Sequence, residues 1–173
     1  MSLMQVLKDA LGDVNVIAED LGFLTDGVRR LLHDSGFPGM KVIQFAFDSR
    51  EESDYLPHNY EKNCVVYTGT HDNDTLCGWY KVLDPEDLKL SQKYMNNANT
   101  PKRQIHWDFI RLALASVADL CIIPLQDYLG LGSEARINTP STLGNNWRWR
   151  MTQGCLTKEL ADQIRELTTL YGR

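Results

Sequence analysis

Cys64-Val-Val-Tyr-Thr-Gly-Thr-His-Asp-Asn-Asp-Thr75 decides the fold. A short β-branched and aromatic run reads as a buried strand. It gives way at once to glycine, hydroxyls, an imidazole and two aspartates. A strand that ends in a polar loop before a helix is one unit of a parallel α/β sheet, and in such sheets functional groups collect at the carboxyl ends of the strands. Neighbouring stretches repeat the pattern. Val14 to Ala18 is expected as a strand that runs into Glu19-Asp20-Leu21-Gly22. Lys41 to Phe47 is expected as a strand ending on Asp48, and Asp119 to Pro124 as one running into Leu125-Gln126-Asp127. Each of the four predicted strands thus delivers a carboxylate towards one rim.

The helices between them carry their own signals. A first helix runs to about Leu11, with Gly12 as its stop. Thr25-Asp26 pairs a hydroxyl N-cap with an acid at the positive end of the helix dipole, and that helix ends near Gly36. Asp84-Pro85 opens a helix with proline at the first position, where its missing N–H costs nothing. A longer one spans about Arg103 to Ser116, with Ile105, Phe109 and Leu112 at helical spacing. The last starts at Thr157. A loop rich in Gly, Ser, Asn and Pro fills about residues 130–155. Strands separated by helical segments imply parallel pairing through right-handed crossovers. Two architectures fit: a small open α/β sheet, or half of an eight-stranded (β/α) barrel, which needs about 250 residues when complete.

The chain has 173 residues, a net charge of −5 and 43% hydrophobic residues, enough for one core. Its scattered Lys and Arg argue against nucleic acid, because neutralising phosphates takes a clustered basic surface. No apolar run approaches the roughly 20 residues that span a bilayer. Charge and Gly12 interrupt the first dozen residues, so they form no secretory signal pattern. Four cysteines, none in a C-x-x-C pair, suit a reduced protein that uses them as small hydrophobes. A cytoplasmic location is therefore expected, with no membrane or nucleic-acid partner and no metal or other cofactor.

Several local patterns have competing readings. Asp72 or Asp74 could cap a helix starting after Thr75, and His71 could be a satisfied structural histidine. Glu19 and Asp20 could be ordinary loop acids. The Asp-Asn-Asp cluster could hold Mg²⁺, although a metal cage needs more ligands than three neighbouring residues can aim together. Gly130-Leu-Gly-Ser-Glu-Ala135 matches G-x-G-x-x-A, but no helix signal follows and its strand comes late in the chain, so a dinucleotide site is rejected. A G-x-S-x-G nucleophile elbow is absent. Carboxylates gathered from several strand ends are what glycoside cleavage requires, since both its acid/base and its charge stabilisation come from carboxyl groups.

Val16-Ile-Ala-Glu-Asp-Leu-Gly22 resembles the acid/base segment of the 4-α-glucanotransferases, also called amylomaltases or disproportionating enzymes. Four further segments agree in order: Phe37-Pro-Gly-Met-Lys-Val42, Tyr55-Leu-Pro-His-Asn-Tyr60, Val66-Tyr-Thr-Gly-Thr-His-Asp-Asn-Asp-Thr75, and Glu134-Ala-Arg-Ile-Asn-Thr-Pro140 with Asn146-Trp-Arg-Trp-Arg150. The resemblance covers nearly the whole chain. It implies a (β/α)8 barrel and transfer of α-1,4-glucan segments between maltooligosaccharides by a retaining double displacement. It places the acid/base at Glu19, a transition-state stabiliser at Asp72 and a substrate-hydroxyl contact at His71, with Asp48 and Asn138 as substrate contacts. His58 and Asn59 belong to the pattern without an assigned role.

The resemblance also has a gap. The family's nucleophile is an Asp in an Arg-x-Asp-His type motif after the fourth strand, and no such motif occurs in this sequence. The expectation is that residues 5–173 form the C-terminal part of the catalytic barrel, strands five to eight, after an appended leader at residues 1–4. Such a piece, lacking its nucleophile, is expected to be inactive alone and to self-associate through open barrel edges. The competing reading is a non-catalytic glucan-binding or interaction module.

Overall fold

The computed structural model describes residues 3–12, 15–22 and 24–173. Its centre is a three-stranded parallel sheet in the order β1 (Gly39–Val42), β2 (Cys64–Tyr67), β3 (Leu120–Ile122). Gly39 pairs with Cys64 and Val42 with Tyr67 on one side of β2. Val65 pairs with Leu120 and Tyr67 with Ile122 on the other. The α/β class and the parallel pairing are as expected. The strands are shorter than the sequence suggests, and they number three among the described residues rather than four.

The predicted first strand is the missing one. Val14 lies outside the described residues, and residues 15–20 join no ladder. One backbone bond, Ala18 N–H to the Pro38 carbonyl at 2.9 Å, ties the segment to the chain entering β1. The next donor along that edge, Met40 N–H, is taken by the Asp20 carboxylate at 2.6 Å instead of by a backbone carbonyl. A side chain thus replaces the second rung. Gly39 permits this, since a Cβ there would stand 2.7 Å from the same carboxylate. The predicted strand to Phe47 likewise stops at Val42, where Ile43–Phe45 tightens into a 3₁₀ turn.

Among the described residues seven α-helices accompany the sheet: α1 (Leu3–Leu11), α2 (Asp26–Ser35), α3 (Leu76–Val82), α4 (Pro85–Met95), α5 (Ile105–Leu114), α6 (Leu125–Tyr128) and α7 (Lys158–Leu170). Thr25 caps α2, Asp84 caps α4 and Thr157 caps α7. Side-chain oxygens that take an otherwise orphaned N–H of the first turn explain why these starts are local decisions of the sequence.

α5 supplies the main packing face. Ile105, Phe109, Ile110 and Ala113 recur along one side and are buried. The Phe109 ring is fully buried and meets Phe47, Trp79 and Tyr80 edge-on at 5.9, 5.2 and 5.9 Å. Such edge contacts add about 0.5–1.5 kcal/mol each beyond area burial. From the sheet, Cys64, Val66 and Cys121 point into this cluster. The alternate residues Met40, Tyr67 and Ile122 face the other way and line a cleft. All four cysteines are free thiols. No helix among the described residues is long and apolar enough to cross a membrane.

Candidate active site

The cleft lies over the carboxyl ends of the strands and encloses about 1550 Å³. Glu19, Asp48, His71 and Asp72 all line it, so the structure brings together four of the five predicted site residues from three separate segments. The fifth, Asn138, reaches the site through Asp72.

The loop of residues 69–75 is built to hold His71 and Asp72 in place. Asn73 Oδ1 accepts from the Thr70 N–H and hydroxyl at 2.9 and 2.8 Å, and the Thr70 hydroxyl accepts from Asp72 N–H at 3.2 Å. Buried Gln44, from the turn after β1, donates to the Asp74 carbonyl at 2.7 Å. Gly69 leaves room for that amide, which a Cβ would meet at 2.6 Å. Beneath the loop, Asp127 bridges its two ends. One carboxylate oxygen accepts from the Thr68 hydroxyl at 2.6 Å, where β2 stops. The other accepts from Leu76 N–H at 2.8 Å, where α3 begins. Asp127 is 2% exposed, and burial pushes its carboxyl up to about 6. The sequence placed Asp127 on the rim with the other strand-end acids. The structure instead turns it inwards, because the one-turn helix α6 starts at Leu125 and rotates it under the loop.

The helix after Thr75 is α3, and its cap is Thr75 itself, whose hydroxyl accepts Gly78 N–H at 3.1 Å. Neither Asp72 nor Asp74 serves as the cap. Asp74 is engaged by the Ser133 hydroxyl at 2.6 Å and by Thr75 N–H at 2.7 Å. With Asn73 and Asp74 so occupied, the Asp-Asn-Asp cluster is aimed in three directions. No group of three or more His, Cys, Asp or Glu among the described residues could hold a metal ion.

Asp72 keeps its carboxylate at the cleft. Asn138 donates to it at 2.5 Å, and His71 Nε2 lies 3.3 Å away. From behind, the Arg136 guanidinium donates to the Asp72 carbonyl at 2.6 Å and to the Asn138 carbonyl at 2.8 Å. The His71 ring meets the indole of Trp147 at 5.0 Å. Across the cleft, Glu19 is exposed on the segment beside β1. Tyr67, the last residue of β2, shares that wall. Burial raises its phenol pKa, and the negative charge of Glu19 raises it further. Asp48 is paired with Arg50 through two bonds of 2.7 and 2.6 Å. The hydrogen bonds of Arg50 hold its carboxyl down at about 2. His58 and Asn59 sit away from the cleft. His58 meets the Tyr94 hydroxyl at 2.9 Å, and Asn59 donates to the Ser53 carbonyl at 3.1 Å.

Tyr67, Arg136 and Trp147 were not singled out as site residues by sequence reasoning. Tyr67 was findable, as the last inward-facing residue of a strand. Arg136 and Trp147 were not, since both act across more than 60 positions.

A parallel α/β chain with carboxylates from three segments around one strand-end cleft has the layout of α/β enzymes that work at that rim. Comparison with known proteins narrows the class. The 4-alpha-glucanotransferase family model matches residues 1–157, and the chain belongs to that family. It is 49% identical over its full length to a 4-alpha-glucanotransferase of Clostridium butyricum, covering 35% of that protein. It is 45% identical to the chloroplastic/amyloplastic 4-alpha-glucanotransferase DPE1 of Arabidopsis thaliana, over 99% of this chain and 30% of that one. The fold is similar to an amylomaltase from Streptococcus agalactiae solved in complex with acarbose. That match has a TM-score of 0.92 at 39% identity, over 99% of this chain and 34% of that one. The chain thus spans about a third of the length of the relatives it matches.

Proposed function

We propose that this chain forms strands five to eight of the (β/α)8 catalytic barrel of a 4-α-glucanotransferase, working in the cytoplasm on maltooligosaccharides. The observation that carries the reading is that Glu19, His71 and Asp72 line one cleft at the strand ends, with Asp72 fixed by Asn138. Retaining transfer needs a nucleophile and an acid/base about 5–5.5 Å apart. In this proposal Glu19 is the acid/base. It protonates the departing glycosidic oxygen, then takes the proton of the acceptor hydroxyl as that oxygen attacks the glycosyl-enzyme. Asp72 and His71 grip the hydroxyls of the cleaved sugar and stabilise the positive charge that develops on its ring. Asp48 and Asn138 complete the sugar contacts. The nucleophile comes from a segment that this sequence does not contain, so the 173-residue chain does not turn over by itself. We place the exposed Leu120 and Ile122 on the face that meets the rest of the barrel, or a second copy when the chain is alone.

The experiment is a chimera in which this chain replaces the matched segment of the Clostridium butyricum protein. The chimera is expected to convert maltotriose into glucose and longer maltooligosaccharides, and Glu19→Gln in it to lower kcat by about 10²–10⁴-fold. The isolated chain is expected to leave maltotriose unchanged. An active isolated chain would overturn the reading that the nucleophile comes from another segment, and a chimera indifferent to Glu19→Gln would remove Glu19 from the mechanism. Binding without turnover in the chimera would favour the glucan-binding module.

A further inference from the structure

We propose that Trp147 is a positioning residue for His71, delivered to it by a self-pinned loop of residues 137–147. This deepens the reading of His71 and Asp72 as the groups that grip the sugar.

The His71 side chain is half exposed, and its polar contact with Asp72 at 3.3 Å fixes one edge only. An imidazole held at one edge can still swing about its ring bond. The Trp147 indole closes that freedom. Its centroid lies 5.0 Å from that of His71, with the planes tilted by 37°. The indole itself is 58% exposed, so core packing does not explain its position.

The backbone points the same way. Trp147 has φ +64°, a left-handed conformation that a bulky residue rarely adopts and that persists only where its surroundings enforce it. Two features enforce it. The Trp147 N–H donates to the Ile137 carbonyl at 2.7 Å, closing the loop at its base. Asn146 fills the loop's interior: its Oδ1 accepts from Thr139 N–H at 3.0 Å, and its Nδ2 donates to the Thr142 carbonyl and hydroxyl at 3.1 Å each.

The same loop holds the His71-Asp72 pair elsewhere. Asn138 N–H donates to the His71 carbonyl at 3.1 Å, and the Asn138 side chain donates to the Asp72 carboxylate. One loop therefore grips backbone, carboxylate and ring together. A glycine at 147 would satisfy the backbone without strain. The tryptophan is there for its ring.

The test uses the 173-residue chain with labelled histidine, followed by NMR without any saccharide, so its outcome does not depend on whether the glucan-transfer reading holds. His71 is identified by the signal missing from His71→Asn. In the native chain the His71 ring protons are expected to show cross-relaxation with the indole of Trp147 and an upfield ring-current displacement. Trp147→Gly is expected to abolish the displacement and raise the ring's mobility while the melting temperature stays level or rises. Trp147→Phe is expected to restore most of both. The proposal is overturned if the native chain shows no His71–Trp147 cross-relaxation, if the Gly variant leaves the His71 signals in place, or if the Phe variant behaves like Gly.

Discussion

Asp127 supports the loop that carries His71 and Asp72, and its burial makes that support sensitive to pH. In the unfolded chain its carboxyl titrates near 3.8, and in the folded chain burial raises it to about 6. A raised folded pKa means that the native state holds the proton more tightly than the unfolded state does. The contribution to stability is therefore fully present below about 3.8 and is lost as pH rises through about 6. At about 1.4 kcal/mol per pKa unit, the loss across that window is about 3 kcal/mol. Other acids titrate in the same range, so the informative quantity is the difference between the native chain and Asp127→Asn, which carries no proton to lose. That difference is expected to fall by about 2–3 kcal/mol between pH 4 and pH 7. Urea denaturation followed by tryptophan fluorescence at several pH values measures it. A difference that is flat with pH, or that rises, would refute the placement of Asp127 as a buried strut. Asp127→Ala removes both acceptor oxygens and strands the Thr68 hydroxyl and the Leu76 N–H. Each buried donor left unpaired costs about 1–3 kcal/mol.

Three further outcomes are expected. Asn138→Ala in the chimera removes the hydrogen bond that fixes Asp72; a bond to a charged group is worth about 1.5–3 kcal/mol, so kcat/KM on maltotriose should drop by about 10–150-fold. A change within twofold would detach Asn138 from the site. Arg50→Ala frees Asp48, and the carboxyl carbon of Asp48, followed by NMR, should then titrate nearer its ordinary 3.8 than about 2. An unmoved midpoint would show that Arg50 is not the cause. The exposed Leu120 and Ile122 on the edge strand β3 invite pairing with a second chain. Light scattering should therefore give at least twice the 19.8 kDa chain mass, and a clean monomer would contradict it.

What was legible in the sequence follows the range of the forces involved. The starts of α2, α4 and α7 depend on a hydroxyl or carboxylate that bonds an N–H two or three positions on, so Thr25, Asp84 and Thr157 announce themselves. The strand after Cys64 and the polar loop behind it were equally legible, since a run of Val and Tyr ending in Gly-Thr-His-Asp has few other uses. The segment before Glu19 was not. A strand exists only through its neighbours, and beside β1 the Asp20 carboxylate takes the donor that a second rung would need. Sequence periodicity is blind to that substitution.

The same distinction separates the candidate site into two layers. The groups that face the cleft, Glu19, Asp48, His71 and Asp72, follow the stretches that the sequence predicts as strands, where topology points to function. Some of the groups that hold them are local, as Arg50 is to Asp48, and others are distant in sequence. Asn138 reaches Asp72 across 66 positions, and Asp127 reaches Thr68 across 59. Asp127 shows why residue type is a poor guide to the second layer. It is an aspartate beside a strand end, like Asp48. One helical turn after β3 makes it a buried strut, whereas the chain that follows the 3₁₀ turn after β1 leaves Asp48 at the cleft. The cleft-facing side chains of the candidate site can be read from the polar segments that follow the predicted strands. Those that set its geometry depend on how the intervening backbone turns, and that is fixed by contacts made only when the whole chain has folded.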